Sequence, residues 1–258
     1  MYNRPRIIPV LSIQDEDLVK TVRFKDPTYL GDPVNAVKIF NRKGVDELSI
    51  LDIGATKSGR APDFTLLRDI ASEAFMPLSY GGGIRTMDEI RELIRIGYEK
   101  VIINTSFIDT PELIRSAAVT LGSQSVVVSI DAMIEKGSGY TCVVSDGDRR
   151  VDKQPCEMAR AAEELGAGEI LLNSVNCDGM MGGYDIELVR SVVSEVSIPV
   201  IACGGAGGVA DLKRVIEQGG AHAAAGGSMF VFYGRLKAVL ITAPSESELI
   251  EAGLYSAF

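Results

Sequence analysis

Residues Leu78–Phe107 read LSYGGGIRTMDEIRELIRIGYEKVIINTSF, and Val200–Phe230 read VIACGGAGGVADLKRVIEQGGAHAAAGGSMF. Each stretch runs from a short apolar strand through a glycine cluster into an amphipathic helical pattern, then into a second apolar strand ending in small polar residues. The two align at Gly82 with Gly204, Gly83 with Gly205 and Gly97 with Gly219, and in their helical pattern. Gly83 and Gly205, Ser106 and Ser228, and Glu47 and Glu169 are each separated by the same interval, so the chain is two copies of one unit. The copies differ where their first strands end. RIIPVLS stops at Ser12, whereas VVVSIDA carries Asp131.

Working outward, apolar runs at 7–11, 47–52, 77–80, 100–104, 125–130, 169–174, 199–203 and 222–226 alternate with helical patterns such as PDFTLLRDIASEA and QPCEMARAAEELG. Strands apolar on both faces indicate a parallel sheet. Eight βα units with internal twofold repetition predict an α/β fold, a (β/α)8 TIM barrel built from two fused half-barrels, as one domain over residues 1–258. Two segments break the rhythm. Residues 12–33 form a long first βα connection, of the kind that covers an active site. From about residue 231 the chain is atypical: GRLKAVLITAP lacks an eighth helical pattern, and a short helix is expected from Ser245.

The 258 residues carry 26 basic and 35 acidic side chains, a net charge of −9. That balance argues against a nucleic-acid or anionic-membrane partner and leaves any anion site to be built locally. The N-terminal apolar run is too short for a signal peptide and no stretch suits a membrane span, so a cytoplasmic protein is expected. Cys142, Cys156, Cys177 and Cys203 form no CxxC pair and have no zinc spacing with the lone His222. We expect no metal and no cofactor.

Barrel active sites form at the C-terminal ends of the strands. Glycine loops stand at several of those ends, in two symmetry-related sets, which suits a phosphorylated small-molecule ligand with a phosphate at each end. Gly83, Asn104 and Thr105 would hold one phosphate; Asp178, Gly179, Gly205, Gly227 and Ser228 would surround the other. Asp131 would lie between them as a general acid or base, or else as a helix cap. Asp52 reads as a structural or positioning acid in the substrate loop region, and Lys20 as an anion clamp or a solvated charge. At the opposite strand ends, Arg6, Glu47, Lys100 and Glu169 are either solvated rim residues or, by their alternating signs, a ring across the barrel bottom.

The segments RIIP, GDPVNAVKIF, DELSILDI, GGGIR, KVIINTS, GSQSVVVSIDA, GAGEILLNSVNCDGMMGGYD and IACGGAG resemble the cyclase subunit of imidazole glycerol phosphate synthase over roughly residues 6–230. The resemblance implies an ammonia gate at Arg6, Glu47, Lys100 and Glu169, and a glutaminase partner docked on the bottom face, met by Glu99. It also implies two catalytic aspartates. One falls on Asp131, the other on Ser12, whose hydroxyl cannot replace a carboxylate in proton transfer, a contribution of roughly 10²- to 10⁴-fold. Asn173 and Cys203 are further departures, where Thr and Ser are usual.

Those departures, with LVKTVRFKDPTYLGDP and GRLKAVLITAP, look like a divergent branch that works beside a glutaminase and an ATP-dependent amidotransferase in making acetamidino sugars for surface polysaccharide. That likeness implies a barrel kept as an ammonia conduit. The alternative is a histidine-pathway cyclase that makes imidazole glycerol phosphate, with Asp15 or Asp17 assisting near Ser12. The bore would be lined by Val10, Ile50, Ile103, Val128, Leu172 and Val200.

Overall fold

In the computed structural model, which describes residues 4–135, 137 and 139–256, the eight apolar runs are strands. The expected domain bounds, 1 and 258, lie outside the described residues. The strands are β1 (Arg6–Gln14), β2 (Leu48–Asp52), β3 (Leu78–Gly81), β4 (Lys100–Ile103), β5 (Val126–Glu135), β6 (Glu169–Ser174), β7 (Val200–Cys203) and β8 (Ala223–Gly226). Every neighbouring pair is parallel, and β8 pairs back onto β1, so the sheet closes into a (β/α)8 barrel.

The longer helices follow the amphipathic patterns, and α1, α2, α3, α7 and α10 start at side-chain caps. They are α1 (Pro33–Lys43), α2 (Phe64–Ser72), α3 (Met87–Ile96), the short α4 (Thr105–Asp109), α5 (Glu112–Leu121), α6 (Pro155–Glu164), α7 (Ile186–Val193), α8 (Val209–Glu217), the short α9 (Ser228–Val231) and α10 (Glu246–Glu251). Thr86 and Glu89 form a capping box at α3, and Ser245 and Glu248 form another at α10. Among the described residues no helix is long and apolar enough to cross a membrane.

Two apolar layers result. The outer one packs Ile50, Ile103, Val128, Leu172 and Val200 against Phe40, Leu67, Ile90, Val192 and Leu212 of the helices. The inner one is Ile8, Val10, Ile102, Val127, Leu171, Ile201, Ala223 and Ala225. Only Val10 of the expected bore residues faces inward. Ile50, Ile103, Val128, Leu172 and Val200 belong to the outer layer, because side chains alternate along a strand and these sit one position out of phase.

The expected long loop after β1 is a β-hairpin, with strands Asp17–Val22 and Lys25–Gly31. Asp15 and Glu16, then Arg23 and Phe24, take positive φ in two tight turns. A second hairpin, Gly139–Val144 with Arg149–Val151, continues β5 in the same way, which the sequence reading did not anticipate. The register repeats the twofold relation: Ser12 pairs with Val19 and Asp131 with Val143. After α9 a small hairpin, Phe232–Tyr233 with Ala238–Val239, precedes α10 and stands where an eighth long helix would be.

Candidate functional site

The mouth of the barrel holds a cavity of about 480 Å³ that reaches down to Val10, Ile102 and Leu171. Alternation along β1 and β5 points Ser12 and Asp131 into it from opposite sides of the ring of strands. Asn173 and Cys203 line it as well. The Asp131 Oδ2 accepts from Asn104 Nδ2 at 3.1 Å. Burial, reinforced by the negative charge of Asp146, pushes the Asp131 carboxyl up to about 7, against the opposing pull of Asn173 and Asn104. Such a group exchanges protons at neutral pH. β1 itself presents the Ser12 hydroxyl, not a carboxylate, to the cavity.

Asp15 and Asp17, expected as helpers, do not line this cavity. Asp15 occupies the outer turn, 77% exposed, 3.4 Å from Arg60. Two acids that line the cavity were missed by the sequence reading: Asp109, at the end of α4, and, on the second hairpin beside Lys57 at 3.2 Å, Asp146. Its signal was the SDG turn after the alternating run YTCVV. Burial raises its carboxyl too. Asp52 ends β2, and its Oδ1 accepts the Gly54 and Ala55 N–H groups, each at 2.9 Å, so it shapes the following loop from the edge of the cavity.

Of the residues expected at the phosphates, Gly83, Asn104, Thr105, Asp178 and Gly227 line the cavity. Gly179, Gly205 and Ser228 stand behind it. A Cβ on Gly205 would lie 2.1 Å from the Gly183 carbonyl oxygen and one on Gly179 2.6 Å from that of Thr21, so these glycines permit close chain packing. The Ser228 Oγ is buried without a hydrogen-bond partner. Asn104 orients Asp131, and the Thr105 Oγ1 accepts the Ser145 N–H at 3.1 Å.

Lys20 is not a solvated charge. It is 5% exposed, its stem lies over Gly227, and its Nζ donates to both Asp178 oxygens at 3.0 and 3.1 Å and to the Thr21 carbonyl at 2.8 Å. The Arg23 N–H reaches the Asp178 carbonyl at 3.0 Å, and Arg23 Nε reaches that of Asn176 at 3.0 Å. The first hairpin is thus closed onto the connection that follows β6.

At the opposite end, the four charges form a ring rather than a solvated rim. Arg6 reaches Glu47 at 2.6 Å and Glu169 at 2.7 Å; Lys100 reaches Glu47 at 2.9 Å and Glu169 at 3.0 Å. Both carboxylates are therefore held by both cations. Between this ring and the cavity floor lies the inner apolar layer, and the Ser49 and Ser79 hydroxyls meet at 2.7 Å. Glu99 is exposed next to Lys100.

Residues 6–237 match the family described as "Histidine biosynthesis protein". The chain is 47% identical over 246 residues, 95% of its length and 98% of the relative's, to the "Putative imidazole glycerol phosphate synthase subunit hisF2" of Pseudomonas aeruginosa. It is 44% identical, over 95% of both chains, to the "Putative imidazole glycerol phosphate synthase subunit hisF3" of Vibrio vulnificus. With the "Imidazole glycerol phosphate synthase subunit HisF" of Streptomyces coelicolor it shares 40% over 88% of this chain and 90% of that one. A closed parallel barrel, a cavity at its mouth, a ring of charges at its foot and these matches together establish that the chain belongs to the HisF family of histidine biosynthesis proteins.

Proposed function

We propose that this barrel is the ammonia-conducting subunit of a glutamine-dependent amidotransferase system. A HisH-like glutaminase docks on the face that carries the ring and Glu99, and ammonia parts the ring and follows the apolar bore to the mouth. There it serves an ATP-dependent partner that amidinates a sugar for surface polysaccharide. The observation that carries this reading is the pairing of an intact four-charge ring with a mouth that has Ser12 in place of a second inward carboxylate on β1.

The site roles follow from that assignment. Lys20 and Gly227 receive a phosphate at one end of the cavity, and Gly83 and Thr105 receive one at the other. Asp131 is the remaining acid–base group.

One observation favours retained cyclase chemistry as the second reading. The Asp131 carboxyl is raised to about 7, and Asp52 and Asp146 face the same cavity, so three carboxyls raised by burial are available to a bound bisphosphate. The test is turnover of the ribulosyl aminoimidazole carboxamide bisphosphate intermediate in excess ammonium salt, with Ser12→Asp alongside. The conduit reading expects no turnover by the native chain and some by the variant. Native turnover at about 1 per second or faster would restore the histidine-pathway cyclase.

A further inference from the structure

A second polar cluster sits beside the ring, adjacent to it in sequence at the feet of β1 and β2. Asp46 immediately precedes Glu47. Its Oδ1 accepts from Arg4 Nη2 at 2.8 Å, and its Oδ2 accepts from the Ile7 N–H at 2.9 Å and from the Tyr255 hydroxyl. Ile7 immediately follows Arg6. The Arg4 guanidinium lies 3.7 Å from the centre of the Tyr255 ring and 3.3 Å from Glu246 Oε1. Tyr255 is anchored in turn, since Leu249, Leu254 and Tyr255 are buried where α10 closes the barrel foot.

The strands alone do not hold the ring together at this corner. Pairing of β1 with β2 begins at Val10 with Ser49, above the level of Arg6 and Glu47. Below that level the Asp46–Ile7 hydrogen bond ties the feet of the two strands, flanking both members of the 2.6 Å Arg6–Glu47 contact. A carboxylate that accepts from one backbone amide, one guanidinium and one hydroxyl is fixed in direction. The Tyr255 hydroxyl and Arg4 supply two of those three donors.

We propose that Asp46, fixed by Arg4 and Tyr255, is a positioning residue for the ring, so that the C-terminal segment sets how readily the ring parts. The consequence for ammonia passage rests on the conduit reading; the clamp itself does not.

The test is made on the purified full chain. Solvent exchange of the Lys100 ammonium and Arg6 guanidinium protons is measured by NMR in the native chain and in Tyr255→Phe, with the buried Lys20 ammonium at the far end as internal reference. The variant should speed exchange at Lys100 and Arg6 on the order of tenfold and leave Lys20 unchanged, since a hydrogen bond to a charged group is lost near the ring alone. Unchanged exchange at the ring, or equal acceleration at Lys20, would overturn the proposal, the latter by showing general loosening. Arg4→Gln, at a residue partly open to solvent, must give the same pattern and serves if Tyr255→Phe does not fold. Because this readout involves no ammonia, a loosened ring combined with undisturbed glutamine-driven amidation in Glu47→Gln would leave the clamp standing and remove the conduit.

Discussion

Replacing Asp131 with asparagine preserves the shape of the group while removing its titration, and the effect should be read as stability against pH. In the folded chain, burial first and then the charge of Asp146 lift this carboxyl from 3.8 to about 7. The native protein therefore keeps a proton that the unfolded chain releases. Below the unfolded value the carboxyl is protonated in both states and costs nothing. As pH rises towards 7 the native state loses stability steadily, and above 7 the loss is complete. At 1.36 kcal/mol per pH unit the full cost is about 4 kcal/mol, of which about 2.5 kcal/mol falls between pH 5 and pH 8. Asp131→Asn removes this dependence, and the Asn104 amide that donates to Oδ2 at 3.1 Å can donate equally to the new carbonyl oxygen. The variant's advantage over the native protein should therefore grow with pH, by about 5–10 °C in Tm over that interval for a chain of this size. Urea and thermal unfolding followed by circular dichroism at pH 5 and pH 8 measure it. Parallel stability curves for the two proteins would refute both the raised pKa and the role built on it.

Two further outcomes are expected. Glu47→Gln removes the carboxylate shared by Arg6 and Lys100 at 2.6 and 2.9 Å, so it should cost about 2–3 kcal/mol in urea unfolding, discounted for the partial exposure of both cations. In the reconstituted system it should depress glutamine-driven amidation several-fold more than ammonium-driven amidation; equal losses would indicate damage to the fold. Lys20→Met leaves Asp178 buried without its partner, at a cost of about 3 kcal/mol. Amide exchange should accelerate in the hairpin strands Asp17–Val22 and Lys25–Gly31 while α2 and α3 stay protected, and uniform acceleration would count against a hairpin held by this pair.

The barrel was legible because its strands and helices repeat twice, and the caps at Thr86 and Ser245 stand where the sequence marks them. What failed was phase. Strands buried on both faces show no polar alternation to mark which side is which. Yet the ring supplies that phase: Val10 lies an even number of residues from Arg6 and faces inward, whereas Ile50, Ile103 and Leu172 lie an odd number from Glu47, Lys100 and Glu169 and face the helices. Taken with their strands, the four charges would have named Ile8, Ile102 and Leu171 as inward-facing. The second hairpin was missed for a different reason. Its β-branched run follows β5 with only a turn between, so the periodicity of one strand blends into the next, and Asp146 was passed over with it.

If the cavity takes a phosphate at Lys20, as proposed, the Lys20–Asp178 contact gives that end an unusual starting condition. The ammonium that would greet a ligand is already neutralised by a carboxylate belonging to the protein, with the lysine stem resting on Gly227. Asp178 is in effect a tethered competitor, present at the high effective concentration of any intramolecular partner. Binding of an anion there is an exchange rather than an addition. Its free energy is the difference between two ion pairs, while the Arg23 bonds to the Asp178 and Asn176 carbonyls go on fastening the first hairpin.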